Sequence, residues 1–208
     1  MDGDATAGTA ARLVGREIAV LVESDYYEPE IAYYRWRFAE EGARVRLVSR
    51  LWGRESLTFL GHEHRAPLEV HEDLADLTDD ALDRLAAVIV PAGMVADRLR
   101  YTEDVDSLPP ATEVMLRAFD RPALLKGVIC HGMWLMAPIP HVVRGRRAVV
   151  HNNLLGDLRN MGGRYVDRDV VVDGDLVTGR TGDHCHLFAR RIVDLLAGGT
   201  GSTNQEGT

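Results

Sequence analysis

Apolar residues in this chain fall into short runs that alternate with segments of helical period. Residues 16–22 (REIAVLV) and 86–90 (AAVIV) are nearly continuous apolar stretches, as in strands buried on both faces of a sheet. Residues 43–49 (ARVRLVS) alternate like a strand with one wetter face. Between these, residues 30–41 place Ile31, Tyr34 and Phe38 at helical spacing, with Trp36 a further candidate for the inner face and Gly42 set to end the helix. A hairpin is expected in residues 50–71, around Phe59–His62 and then Leu68–Val70. A short helix over 78–85 carries Asp79 and Asp80 in its first turn. Residues 91–93 turn into another helical start near Ala96, and Pro109 and Pro110 precede a helix over 111–120. Residues 148–152, 170–172 and 176–178 read as later strands, the last two joined at Asp173–Gly174, and 184–196 is a closing helix.

Alternation of this kind predicts one α/β domain: a mostly parallel sheet with helices on both faces. Ligands in such sheets bind outside the carboxyl ends of the strands. Three loops meet that description: Glu23–Glu30, Pro91–Asp97 and Cys130–Gly132. There is no internal repeat and no sign of a second domain. Residues 1–10 are acidic, small and polar, the end from Ala197 reads as a flexible segment, and residues 1–14 and 199–208 are expected to be disordered tails around a domain over 15–198.

The third loop carries the sharpest signal. Val128 and Ile129 suit a buried strand, Met133–Ala137 are helix formers, and only Cys130, His131 and Gly132 lie between. A strand that becomes a helix over so few residues bends sharply and presents the side chain at the bend, as in a nucleophile elbow, here with Cys. Gly132 would let the helix start close to the strand. The first helical N–H groups would then favour a thiolate or a developing oxyanion. A small Cys buried in a core strand fits the same residues.

Composition narrows the class. The chain has 208 residues, is 46% hydrophobic and carries a net charge of -8. It has no apolar run long enough to span a membrane, no basic and apolar leader at Met1, and no basic block, so neither membrane nor nucleic acid is an expected partner. Cys130 and Cys185 are the only cysteines. With no disulfide framework implied and a reduced Cys130 required, the expected location is cytoplasmic. His62, His64 and His71, and separately His184 and His186, lack a second ligand pair at structural spacing, so no metal and no cofactor are expected.

With these motifs in order, the chain resembles the ThiJ/PfpI superfamily, which shares the fold of class I glutamine amidotransferases. The resemblance runs from about Gly15 to Gly198 and rests on Ile129-Cys130-His131-Gly132, on Tyr27-Glu28 with Glu30 and Glu40-Glu41-Gly42, and on Val90-Pro91-Ala92-Gly93. Val170–Gly174 and Val177–Arg180 also look like the family's late hairpin. It implies a flavodoxin-like three-layer α/β sandwich with a cysteine elbow. It further implies Cys130 as nucleophile, Glu30 as the acid at the sulfur with Glu28 as the alternative, and His131 after the nucleophile. The amides of Gly93 and His131 would form the oxyanion hole, and the assembly would be a homodimer or larger.

Departures are visible too. Ala92 replaces a Gly, and Asp97 stands where peptidase-like members have a Glu that reaches a neighbouring subunit. His151 stands in place of a Tyr, and His184 in place of an Asp. His184 also allows a rival Cys130–His184 pair, as in amidotransferases, although their His-x-Glu motif is absent.

Chemically, a free thiol of pKa ~8.5 needs a base, a positive neighbour or a helix terminus to react at neutral pH. A charged Glu30 would oppose ionisation, so Glu30 helps only if it is protonated or takes the proton, and its pKa is expected to be raised. Acidic residues in a helix first turn are also favoured by the dipole alone. His131 is a candidate base, though a residue directly after an elbow often points away. The expected activity is a cysteine-dependent hydrolase or lyase acting on a small carbonyl or acyl compound. The alternative is a redox-sensing or holdase-type stress protein that uses oxidation of Cys130.

Overall fold

The computed structural model describes residues 10–198. Its strands are β1 (Glu17–Leu21), β2 (Arg44–Ser49), β3 (Leu57–Leu60), β4 (Pro67–Val70), β5 (Glu72–Asp73), β6 (Leu85–Val90), β7 (Leu125–Ile129), β8 (Arg147–Ala148), β9 (Arg164–Tyr165), β10 (Val170–Asp173) and β11 (Leu176–Gly179). The helices are α1 (Glu28–Glu40), α2 (Asp79–Arg84), α3 (Val95–Leu99), α4 (Pro110–Phe119), α5 (Leu155–Asn160) and α6 (Cys185–Leu196). Seven strands form one sheet in the order β10-β11-β7-β6-β1-β2-β5, parallel except for β10. This is the flavodoxin-like three-layer α/β sandwich.

Position in the sheet follows from apolar content. β6 is buried at every residue and β1 at all but Glu17, and these two lie at the centre. The chain adds β2 outward on one side of β1, then crosses back to add β6 and β7 on the other. The direction therefore reverses between β1 and β6, and a crevice opens there at the carboxyl edge.

Helices α1 and α6 share a layer, where the rings of Tyr34 and Phe188 lie 6.1 Å apart. Packing of α6 on the sheet is close: a Cβ at Gly127 would come 2.8 Å from the Phe188 ring. On α4, the Thr112 hydroxyl donates to the carbonyl of Leu135, 3.2 Å away, and so ties this helix to the segment after Cys130.

The structure corrects several expectations. Trp36 is 70% exposed, because it lies about 200° around α1 from both Tyr34 and Phe38. Residues 130–136 form a 3-10 helix and not an α-helix. The strand expected over 148–152 is only β8, and His151 instead caps a short 3-10 turn at 152–154. Helix α5 and the two-residue strands β5 and β9 carried no readable period. Residues 10–14 do not behave as a tail: Leu13 is buried, and Arg12 pairs with Glu41 and Asp194. Residues 1–9 and 199–208, the rest of the expected tails, lie outside the described residues. No helix among the described residues is long and apolar enough to cross a membrane.

Candidate active site

Cys130 directly follows β7 with φ 58°, a left-handed conformation that costs a non-glycine residue roughly 1–3 kcal/mol. Close approach of the next turn requires Gly132, where a Cβ would stand 2.7 Å from the Val90 carbonyl oxygen. The chain thus leaves the strand and enters a helical turn at once, with the sulfur at the floor of a cavity of about 360 Å³. Cys130 is only 7% exposed.

Two neighbouring loops close the floor. Gly93, after β6, has φ 82°, and a Cβ there would meet the Asp25 carbonyl oxygen at 2.4 Å. Asp25, after β1, is itself left-handed at φ 61°. Its N–H donates to Leu60, its carbonyl accepts from Met94, and its carboxylate is paired with Arg98 and Arg65. The Arg98 guanidinium is the main cause that holds this carboxyl below its ordinary range.

Glu30 enters from the first turn of α1 and is fully buried. Its Oε2 accepts from the N–H of Ala92 at 2.8 Å. Its Oε1 and the Tyr34 hydroxyl one turn later have no well-formed hydrogen bond. Burial pushes the Glu30 carboxyl up to about 8, against opposing contributions from Tyr34 and the Ala92 amide. The direction is the one expected, and the group is protonated at neutral pH.

Glu28 sits elsewhere, accepting from the N–H groups of Glu63 and His64 at 2.9 and 2.8 Å. Burial alone would raise its carboxyl, but these amides outweigh it and bring the value down to about 2. Glu28 therefore secures the β3–β4 loop and does not face the sulfur.

His131 turns back toward its neighbour, with Nδ1 3.2 Å from Cys130 Sγ. Its ring packs edge-on to Trp134 and lies 4.7 Å from the ring of His151. Burial first, and then His151, lower its pKa, so the imidazole is neutral at pH 7. His151 accepts the Asn153 N–H through Nδ1 at 3.2 Å, which leaves Nε2 as its protonated nitrogen.

Amides of His131, Gly182 and Gly93 act on the sulfur and favour its thiolate. Burial is the larger effect, a charged Glu30 adds to it, and together they push the thiol up to about 11. At rest, then, a protonated thiol lies beside a neutral imidazole, with a protonated carboxyl near enough to act on it.

Two sequence candidates lie outside this arrangement. Asp97 is exposed on α3 and does not line the cavity. His184 Nδ1 bonds the Thr181 hydroxyl at 2.8 Å and Nε2 faces Asp169 at 3.3 Å, so this histidine is directed away from Cys130. Conversely, the sequence reading missed Gly182, Tyr27 and Asp183. Tyr27 donates to Asp183 Oδ1 at 2.7 Å across the rim, and a Cβ at Gly182 would meet the Tyr27 ring at 2.4 Å. The available signal was the Thr181-Gly182 pair one residue beyond the last strand, at the same sheet edge as the elbow. Among the described residues, no group of three or more His, Cys, Asp or Glu side chains could hold a metal ion.

The sequence profile of the DJ-1/PfpI family matches residues 16–195. Deglycase PfpI of Pyrococcus furiosus is 28% identical over 182 residues, covering 86% of this chain and 99% of the relative. Protein/nucleic acid deglycase 2 of Escherichia coli is 28% identical over 192 residues, 88% of this chain and 99% of that protein. General stress protein 18 of Bacillus subtilis is 29% identical over 189 residues, with 88% and 99% covered. Among solved structures, a DJ-1 superfamily protein of Salmonella typhimurium aligns with a TM-score of 0.73 at 23% identity, covering 89% of this chain and 92% of that one. The fold, the elbow and the matched profile together lead to one conclusion: the chain belongs to the DJ-1/PfpI family.

Proposed function

We propose that this protein is a Cys130-dependent hydrolase or lyase of the deglycase or glyoxalase type, acting on a small carbonyl or acyl compound. The observation that carries this reading is the contact between Cys130 Sγ and His131 Nδ1, 3.2 Å apart in the lining of the cavity. A thiol this basic is not a standing thiolate, so attack must be coupled to loss of its proton. With Nδ1 unprotonated, His131 accepts that proton as the sulfur bonds to the carbonyl carbon. The carbonyl oxygen takes the electron pair and is held by the amides of Gly93 and His131. Glu30, kept protonated by burial, adds no repulsion to the forming thiolate, and its Oε1 has no well-formed hydrogen bond. Deglycase relatives at full-length coverage support the same reaction class.

The redox alternative is less favoured. Oxidation follows thiolate character, and burial opposes the thiolate here. The stress-protein relative keeps the alternative in view. Free cysteines suit a reducing cytoplasm, and the exposed Trp36 on α1 suits cover by a second copy in a homo-oligomer. Titration with iodoacetamide tests the enzymatic reading. Methylglyoxal turnover should fall in proportion to Cys130 alkylation and reach zero at one equivalent. Full turnover with Cys130 alkylated would refute it.

A further inference from the structure

The chain carries 24 Lys and Arg residues, yet none lines the Cys130 cavity. Three nearby guanidiniums are engaged: Arg65 and Arg98 by Asp25, and Arg180 by Asp167. Two carboxylates do line the cavity, Glu63 and Asp183. The Asp183 carboxylate and the Glu63 main chain are held in place, and the Glu63 carboxylate faces His62 Nε2 at 3.9 Å. Glu28 fixes the Glu63 main chain through its N–H, and Tyr27 donates to Asp183 Oδ1 at 2.7 Å. That bond uses one oxygen of Asp183 and leaves Oδ2 for a ligand. The nearest imidazole to the sulfur, His131, is kept neutral by burial. An anionic ligand entering this site therefore meets two carboxylates and no lysine or arginine, with the histidines His62, His131 and His151 as the other titratable side chains of the lining besides Tyr27 and Cys130, whereas a cation gains from both carboxylates.

We propose that the site selects neutral and cationic carbonyl compounds, such as those bearing an amine or guanidine, against carboxylate- or phosphate-bearing ones. Asp183 and Glu63 are the selecting groups. The inference rests on the reading of Cys130 as the nucleophile.

Two methanethiosulfonate reagents of opposite charge test it: the 2-trimethylammonioethyl and 2-sulfonatoethyl derivatives, at pH 7.5 and low salt. In each, the Cys130 sulfur bonds to the reagent's thio sulfur, methanesulfinate leaves, and the thiol proton goes to solvent. Rates at Cys130 are read by peptide mass and divided by each reagent's rate with 2-mercaptoethanol. The normalised cation-to-anion ratio should be about ten or more, the scale of one charge pair at short range near a solvated surface. It should fall severalfold in Asp183→Asn/Glu63→Gln, which keeps the Tyr27 acceptor. A ratio of one or below, or one unchanged in the double variant, overturns the selectivity while leaving the nucleophile reading standing. Failure of both reagents to label Cys130 in the folded protein, with labelling after denaturation, overturns both.

Discussion

Replacing Glu30 by Gln isolates the most unusual electrostatic feature of the fold. The side chain is fully buried, and its carboxyl is raised from an ordinary value of 4.5 to about 8. Because the folded state holds this proton more tightly than the unfolded chain, the wild type loses stability as pH rises from the unfolded value through the folded one. Gln keeps the acceptor for the Ala92 N–H and cannot ionise, so the variant escapes that loss. Linkage between the two values gives a wild-type penalty of about 1 kcal/mol at pH 5 and about 4 kcal/mol at pH 7.5. The stability gap between variant and wild type should therefore move by ~3 kcal/mol in favour of Gln across that interval. In a chain of this size that corresponds to roughly 6–12 °C in Tm. The assay is urea or thermal unfolding of both proteins at fixed concentration, since assembly would shift apparent stability. A gap that stays flat from pH 5 to 7.5 would show that Glu30 titrates like a free carboxylate. The protonated-acid role assigned to it would then be wrong.

Other outcomes follow from the same geometry. Glu28→Gln should lose one of the two amide contacts to the β3–β4 loop, costing about 1–2 kcal/mol at pH 7 in urea unfolding, and the difference should shrink below the unfolded carboxyl value as the wild-type side chain protonates. Gly93→Ala should cost roughly 3 kcal/mol or more, or prevent folding, because its Cβ would meet the Asp25 carbonyl oxygen at 2.4 Å. Gly156→Ala on α5, with nothing within 4 Å, should instead stabilise by about 0.5–1 kcal/mol by the same measurement. His151→Ala should raise the His131 pKa and shift the acidic limb of the pH–rate profile upward, and a downward shift would contradict the coupling between the two rings.

Much of this was legible in the sequence because it depended on local rules. The apolar runs of β1 and β6 mark buried strands wherever they occur, and Ile129-Cys130-His131-Gly132 leaves the chain no way to join strand to helix without a sharp bend. The choice between Glu28 and Glu30 was not local. Both stand in the first turn of α1, two residues and about 200° apart, so their partners lie on opposite sides of the helix. Only the position of the Ala92 amide and of the β3–β4 loop decides which acid is buried beside the cysteine. His184 was misleading for a similar reason: its partner, Asp169, comes from a distant loop. Tyr27 and Asp183 are 156 residues apart and meet only because β1 and β11 end at the same edge. The 3-10 geometry of residues 130–136 and the brevity of β8 reflect tertiary packing that outweighs propensity.

Whether Cys130 performs the chemistry is decided by methylglyoxal consumption in the wild type and in Cys130→Ser. Both proteins should be followed by substrate loss and by lactate formation. Turnover is expected in the wild type and none in the variant at matched folding. Equal consumption by the two proteins, or a wild type inert toward methylglyoxal and other small carbonyl compounds, would contradict it.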